Sequence, residues 1–108
     1  QKVENIILHD VSGNPANRRL PKGGNIPNYH ITFDKDGVYL ESPLGRRAPH
    51  AAAFNANSIG IAHIGFEGDT LDPKAIENGA KAVKFVMDRT GVTAHQILTY
   101  PGAGPSAT

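Results

Sequence analysis

The sequence of 108 residues predicts an α/β domain with a mixed central sheet, parallel at its core, and one helix packed on the sheet. Three observations carry that prediction. "IILHD", residues 6–10, and "SIGIAHIGF", residues 58–66, are short branched-apolar runs of the kind that form strands buried on both faces. Residues 72–89 repeat apolar side chains at three- and four-residue spacing. The succession of strand, helix and strand over residues 58–98 is the signature of a right-handed parallel crossover.

The first strand is expected over residues 3–9. Residues 11–28, rich in Gly, Pro and Asn, form a long irregular connection, and such loops in compact domains are more often functional than idle. "YHITFDKDGVYLES" reads as a hairpin, with Tyr29, Ile31 and Phe33 alternating with His30 and Thr32 and with Asp36-Gly37 at the turn. "PLGRRAPHAAAFNAN" is a second polar connection. In the strand that follows, Gly60 and Gly65 permit close approach to the backbone. The helix is expected over residues 72–89, capped by Thr70 or Asp72, with Pro73 in its first turn and Ile76, Ala80, Val83 and Met87 on its apolar stripe. Glu77 with Lys81, and Lys84 with Asp88, are solvated pairs at four-residue spacing. Gly91 ends the helix, "VTAHQIL" returns as the last strand, and "TYPGAGPSAT" is a loop.

The length fits one domain spanning residues 1–108. Eleven basic and ten acidic side chains leave a net charge of +1, too weak a field to attract nucleic acid or an anionic membrane. No run approaches the roughly 18 apolar residues of a membrane span. "QKVENIILHD" lacks the apolar core of a signal peptide, so a soluble monomer made without a leader is expected. With no cysteine, a metal could be held only by histidine, carboxylate, backbone or water.

Five histidines make that question worth asking. In an open α/β sheet, ligands collect beyond the carboxyl ends of parallel strands. His9 closes the first strand and His95 is placed near the end of the last, so strands lying side by side would bring both imidazoles to one edge. Two neutral imidazoles about 2.0 Å from one ion begin a zinc site, which in an enzyme needs three protein ligands and an open position. From spacing alone a structural or merely exposed histidine at a strand end is the commoner case, and the metal site stays open beside it.

"IILHD", "NYHITFDKDGVYLES", "APHAAAFNANSIGIAHIGF" and "TAHQILTYPGAGPS", in that order, resemble the successive blocks of the zinc-dependent type 2 N-acetylmuramoyl-L-alanine amidases, the family of phage endolysin amidases and peptidoglycan recognition proteins. The resemblance implies zinc (Zn2+) as cofactor, with His9 and His95 as its first and second ligands. It places Tyr29 beside the zinc-bound water and scissile carbonyl. His50 and Asn55 fall on the substrate side, and Asn55 and Asn57 also fix the loop leading into the strand. The implied activity is hydrolysis of the amide between N-acetylmuramic acid and L-alanine in peptidoglycan, as a cell-wall lytic enzyme. The ion would lower the pKa of its water toward about 7 and polarise the carbonyl, while a tyrosine hydroxyl would stabilise the oxyanion.

The chain departs from that pattern at three positions. Relatives carry a third ligand, cysteine or aspartate, before a proline, where this chain has Gly104. Gly102 replaces a lysine of phage relatives, and Ala62 replaces a glutamate of many bacterial ones. Three readings follow. The third ligand lies beyond Thr108, or the ion is held by His9, His95 and water, or the domain is catalytically silent and only binds glycan peptide. The first is adopted.

The other polar residues have ordinary explanations. His63 reads as a sheet-face histidine with a satisfied partner. His30, one residue from Tyr29, should point to the opposite face. Asp10 could touch the metal, orient His9 or simply open the loop. Arg46 and Arg47 flank the expected cleft and either meet substrate carboxylates or stay solvated. Ser12, Ser42 and Ser58 lack a nucleophile-elbow context, and neither "KGGN" nor "PGAGPS" leads from a strand into a helix with a P-loop lysine.

Overall fold

The computed structural model describes residues 3–11, 28–50, 57–64 and 72–99. Five strands form one sheet: β1 (Asn5–Asp10), β2 (Ile31–Asp34), β3 (Gly37–Leu40), β4 (Ser58–His63) and β5 (Ile97–Thr99), in the order β3-β2-β4-β1-β5. β2, β4, β1 and β5 run parallel, and β3 is the antiparallel edge. Helix α1 (Pro73–Thr90) connects β4 to β5. The crossover therefore passes over β1, which fills the space between the two strands it joins. β4 is buried along its whole length, as its unbroken run of small and apolar residues requires.

The hairpin forms one residue earlier than its Asp-Gly pair suggests. Lys35 and Asp36 make the turn and Gly37 already belongs to β3. The Asp34 carboxylate fixes this register by accepting from the backbone N–H of Asp36 and Gly37 at 2.9 and 3.1 Å and from the Tyr39 hydroxyl at 3.2 Å.

α1 starts and stops where local chemistry dictates. Asp72 caps it by accepting from the Lys74 N–H at 2.8 Å, and Pro73 opens the first turn. Gly91 adopts the left-handed conformation, φ 78°, and its N–H closes on the Met87 carbonyl at 2.9 Å. The buried stripe is rotated by one residue from the expected one. Ala75, Ala82 and Val86 are buried, whereas Ile76 is 62% exposed and Ala80 is exposed. Val83 and Met87 pack at the margin. The reason is close approach: the Phe33 ring lies against Gly79, where a Cβ would come within 2.8 Å of it. Small residues on this stripe let the helix settle onto β2, and Ile6, Ile31, Ile59 and Ile61 complete the core beneath it. Lys81 with Glu77 and Lys84 with Asp88 pair on the solvated face at 3.4 and 3.0 Å. Among the described residues no helix is long and apolar enough to cross a membrane.

Candidate active site

Strand alternation sends Ile59 and Ile61 toward α1 and Ser58, Gly60 and Ala62 to the opposite face. On that second face Ala62 packs with Val11, Tyr29 and Ile64. Ala62 is the register partner of His9 on one side and of Thr32 on the other. Three strands thus place Thr32, Ala62 and His9 in one row, about 10 Å from end to end at the usual strand spacing, with only a methyl group in the middle. At the far end the Thr32 hydroxyl donates to Glu41 Oε2 at 2.5 Å.

Around His9 the face becomes aromatic and polar. His9 Nε2 lies 3.0 Å from His50 Nδ1, with the rings edge-on at 5.2 Å and 87°. The Tyr29 ring meets the His9 ring at 5.1 Å and 61°. His50 Nε2 lies 3.2 Å from Ser58 Oγ and 3.4 Å from the Ser58 carbonyl oxygen. Gly60 is the reason His50 fits: a Cβ there would collide with the imidazole, coming within 2.6 Å of Nδ1. The close approach expected at Gly60 is made by a side chain of this same protein; Gly65 lies outside the described residues.

Burial sets the charge of this group. His9 and His50 are 4% and 7% exposed. Burial lowers the pKa of His9 to about 4, with a further contribution from neighbouring His50. Burial also brings His50 to about 4; its bond to the Ser58 backbone opposes the shift and His30 reinforces it. Both are neutral at pH 7. Burial raises the Tyr29 hydroxyl above its usual value, so it keeps its proton.

The structure brings together His9, Tyr29 and His50 of the residues singled out from sequence, and it does not bring His95 to them. His95 sits in a 3-10 turn (Ala94–Gln96) that precedes β5, and it is exposed. β5 pairs with β1 as Ile6 with Ile97 and Leu8 with Thr99, so His95 lies at the amino edge of the sheet and His9 at the carboxyl edge. The expectation that His95 sits near the end of the last strand is overturned: it precedes that strand. A Thr-x-x-Gln capping pattern is the cause: Gln96 Oε1 accepts from the Thr93 N–H at 2.9 Å and from its hydroxyl at 3.1 Å, and Gln96 Nε2 reaches the Glu4 carbonyl at 2.7 Å. That pattern is spelled in "TAHQ" and was the signal to read.

His30 also departs from expectation. Residues 28–30 form a turn before β2 begins, so strand alternation does not separate His30 from Tyr29. The His30 ring lies 5.5 Å from that of His50. Its Nδ1 accepts from the Gly60 N–H at 3.0 Å and its Nε2–H donates to the Arg46 carbonyl at 2.6 Å. A histidine serving as both acceptor and donor to backbone ties the loop carrying Arg46 to β4. Arg46 and Arg47 are themselves exposed. His63 and Asp10 belong to the helix side, where His63 Nδ1 lies 3.1 Å from Asp10 Oδ1 and the His63 ring 5.2 Å from Phe33. Asn57 fixes the entry to β4 as expected, accepting at its carbonyl from the Glu4 N–H at 2.8 Å and donating to Glu4 Oε1 at 3.1 Å. Asn55, Gly102 and Gly104 lie outside the described residues. A cavity of about 550 Å³ lined by Leu8, Phe33, Val83 and Met87, with His9 and Lys84 also at its wall, opens on the helix side of the sheet and is almost wholly apolar.

The family model for N-acetylmuramoyl-L-alanine amidase matches residues 1–103. No curated protein sequence matches the chain. Among solved structures, the catalytic domain of XlyA is similar with a TM-score of 0.69 at 20% identity, covering 92% of this chain and 71% of that one. The N-acetylmuramoyl-L-alanine amidase LysC from Clostridium intestinale URNW gives 0.71 at 20% identity, covering 92% and 70%. Drosophila peptidoglycan recognition protein SD gives 0.67 at 20% identity, covering 91% and 69%. At such identity the structural likeness speaks for the fold.

Proposed function

The chain belongs to the N-acetylmuramoyl-L-alanine amidase family, and we propose that it hydrolyses the amide joining N-acetylmuramic acid to L-alanine of the peptidoglycan stem peptide. The observation that supports this reading is the convergence of His9, His50 and Tyr29 on one buried face at the carboxyl edge of parallel strands. Zinc is the cofactor the reaction calls for, and it would supply a polarised carbonyl and a water acidic enough to ionise at neutral pH. A neutral imidazole such as His9 is the form that binds it. The described residues do not complete such a centre. His95 is remote from His9, and among these residues no group of three His, Cys, Asp or Glu is arranged to hold a metal.

The chain's own residues have definite capacities. The Tyr29 hydroxyl, held above its already high ordinary pKa by burial, can donate to the carbonyl oxygen as negative charge develops there, in surroundings where water does not compete. His9, with its pKa near 4, is a poor general base at pH 7 and suits a role as a lone-pair donor. The buried His9 and His50 rings exclude water from the reacting bond and so strengthen both interactions.

Incubation with purified peptidoglycan should release intact stem peptides bearing free L-alanine amino termini. A chelator should abolish the release and zinc restore it. Tyr29→Phe should slow release about a hundredfold with its melting temperature retained; unaltered turnover with altered stability would make Tyr29 a packing residue. Gly104, at the position where relatives carry the third ligand, supports a second reading, a catalytically silent peptidoglycan-binding module. Cosedimentation with cell wall in the absence of any release would select it.

A further inference from the structure

We infer that His30 is a positioning residue: its imidazole, carrying its proton on Nε2, clamps the segment that leaves β3 onto β4 and so sets where His50 stands beside His9. This deepens the amidase reading and rests on it only for the catalytic consequence.

Both partners of the His30 ring are backbone groups, whose roles are fixed. The Gly60 N–H can only donate, and it reaches Nδ1 at 3.0 Å. The Arg46 carbonyl can only accept, and it lies 2.6 Å from Nε2. Nδ1 therefore holds the lone pair and Nε2 the proton. Burial keeps the ring below its ordinary pKa, with the Arg46 bond opposing, so it is neutral at pH 7. The main chain of His30 adds to the clamp. Its N–H donates to the Gly60 carbonyl at 3.0 Å, and its carbonyl accepts from the N–H groups of Glu41 and Ser42 at 2.8 and 3.2 Å. A continuing β2 would have offered the Gly60 N–H a main-chain carbonyl, and the ring takes that place. One residue thus joins β4, the end of β3 and the turn at Arg46.

The path from this clamp to His50 is short. Only Arg47, Ala48 and Pro49 separate the clamped carbonyl from His50. Pro49 has a fixed φ, Ala48 is buried, and the His50 N–H turns back on the Ala48 carbonyl at 2.9 Å. So stiff a tether carries the position of Arg46 to His50. The His30 and His50 rings meet edge-on at 5.5 Å and 73°, and Gly60 receives both, one at its polar backbone atoms and the other in the space a side chain would fill. His50 in turn stands 3.0 Å from His9. Loosening the clamp should therefore lower kcat while KM stays near its original value.

Nuclear magnetic resonance of the 15N-labelled protein at pH 7 tests the clamp without any substrate. The expected result is a single His30 ring proton, on Nε2, that exchanges slowly with water and lies close to the Arg46 and Arg47 backbone. A proton on His30 Nδ1 overturns the proposal. Two variants then part the two bonds. His30→Asn keeps an acceptor near the place of Nδ1 and loses the donor, whereas His30→Gln keeps a donor near the place of Nε2. In His30→Asn the His50 ring resonances should move and kcat should fall at least about tenfold. In His30→Gln the resonances and most of kcat should return. His50 resonances unmoved in His30→Asn would mean that His50 is held by its own contacts with Gly60 and Ser58, and would overturn the positioning role. Equal loss in both variants, unfolding included, would overturn it too. A wild type that releases no stem peptide, with the slow Nε2–H present and the His50 shift seen in His30→Asn, would remove the amidase reading and leave the clamp standing.

Discussion

The two faces of the sheet are built from alternate residues of the same strands and have opposite characters. The face toward α1 is hydrocarbon: Ile6, Ile31, Ile59 and Ile61 against Ala82 and Val86. The other face buries His9, His30, His50, Thr32 and Ser58, each tied by hydrogen bonds to another strand or loop. Buried polar groups of this kind add little net stability but are expensive to leave unpaired. The difference teaches that one face holds the domain together and the other depends on being held.

The largest expected effect belongs to the hydrocarbon face. Ile61→Ala should cost about 2–5 kcal/mol in urea unfolding, while the His9 and His50 resonances of the folded protein stay in place. Movement of those resonances would break the division between the faces. Acid should attack the polar face next. His9 and His50 have pKa values of about 4 when folded against 6.5 in an open chain. Above pH 6.5 both states are neutral and pH has no effect through them. Between 6.5 and 4 the unfolded chain binds protons that the folded chain refuses, so stability falls as pH falls, by up to about 3 kcal/mol for each group at the lower end. Urea midpoints at pH 7, 5.5 and 4.5 would show it, with a shallower fall in His50→Asn; identical slopes would place the acid sensitivity elsewhere. The smallest effect is the sharpest. Gly60→Ala should cost about 1–3 kcal/mol through overpacking and displace His50, which would appear as a shift of the His50 and His9 ring resonances. A variant with both stability and ring resonances intact would mean that Gly60 and His50 do not touch in solution.

The hydrocarbon face was largely legible in sequence because its signals are local. Asp72, Pro73 and Gly91 mark the ends of α1 within a residue, and the branched runs mark β1 and β4. The stripe on α1 was misplaced by one residue because periodicity weights large side chains, and here Gly79 and the alanines make the contact. The polar face was legible in part. The sequence points to His9, Tyr29 and His50, and the structure groups them; their catalytic and metal-binding roles are proposals. His95 was misplaced because a three-residue turn before β5 shifts the strand and carries the side chain to the far edge. His30 was assigned to the wrong face because alternation was extended into residues that precede the strand. In both cases the error lay at a strand boundary, where one or two residues decide on which side of the sheet a side chain emerges.

The place of β1 between β4 and β5 has a consequence for how the chain is made. Asp10 meets His63 at a separation of 53 residues, and Glu4 meets Gln96 at a separation of 92. A strand translated early thus waits for both of its neighbours, and closing such long loops slows folding. Until β5 leaves the ribosome, the growing chain displays an unpaired edge of Ile6, Ile7 and Leu8, the kind of surface that chaperones bind and that other nascent chains can capture. The same early strand carries His9, whose partner His50 is 41 residues away, so the polar face can pair with β4 before that edge is covered.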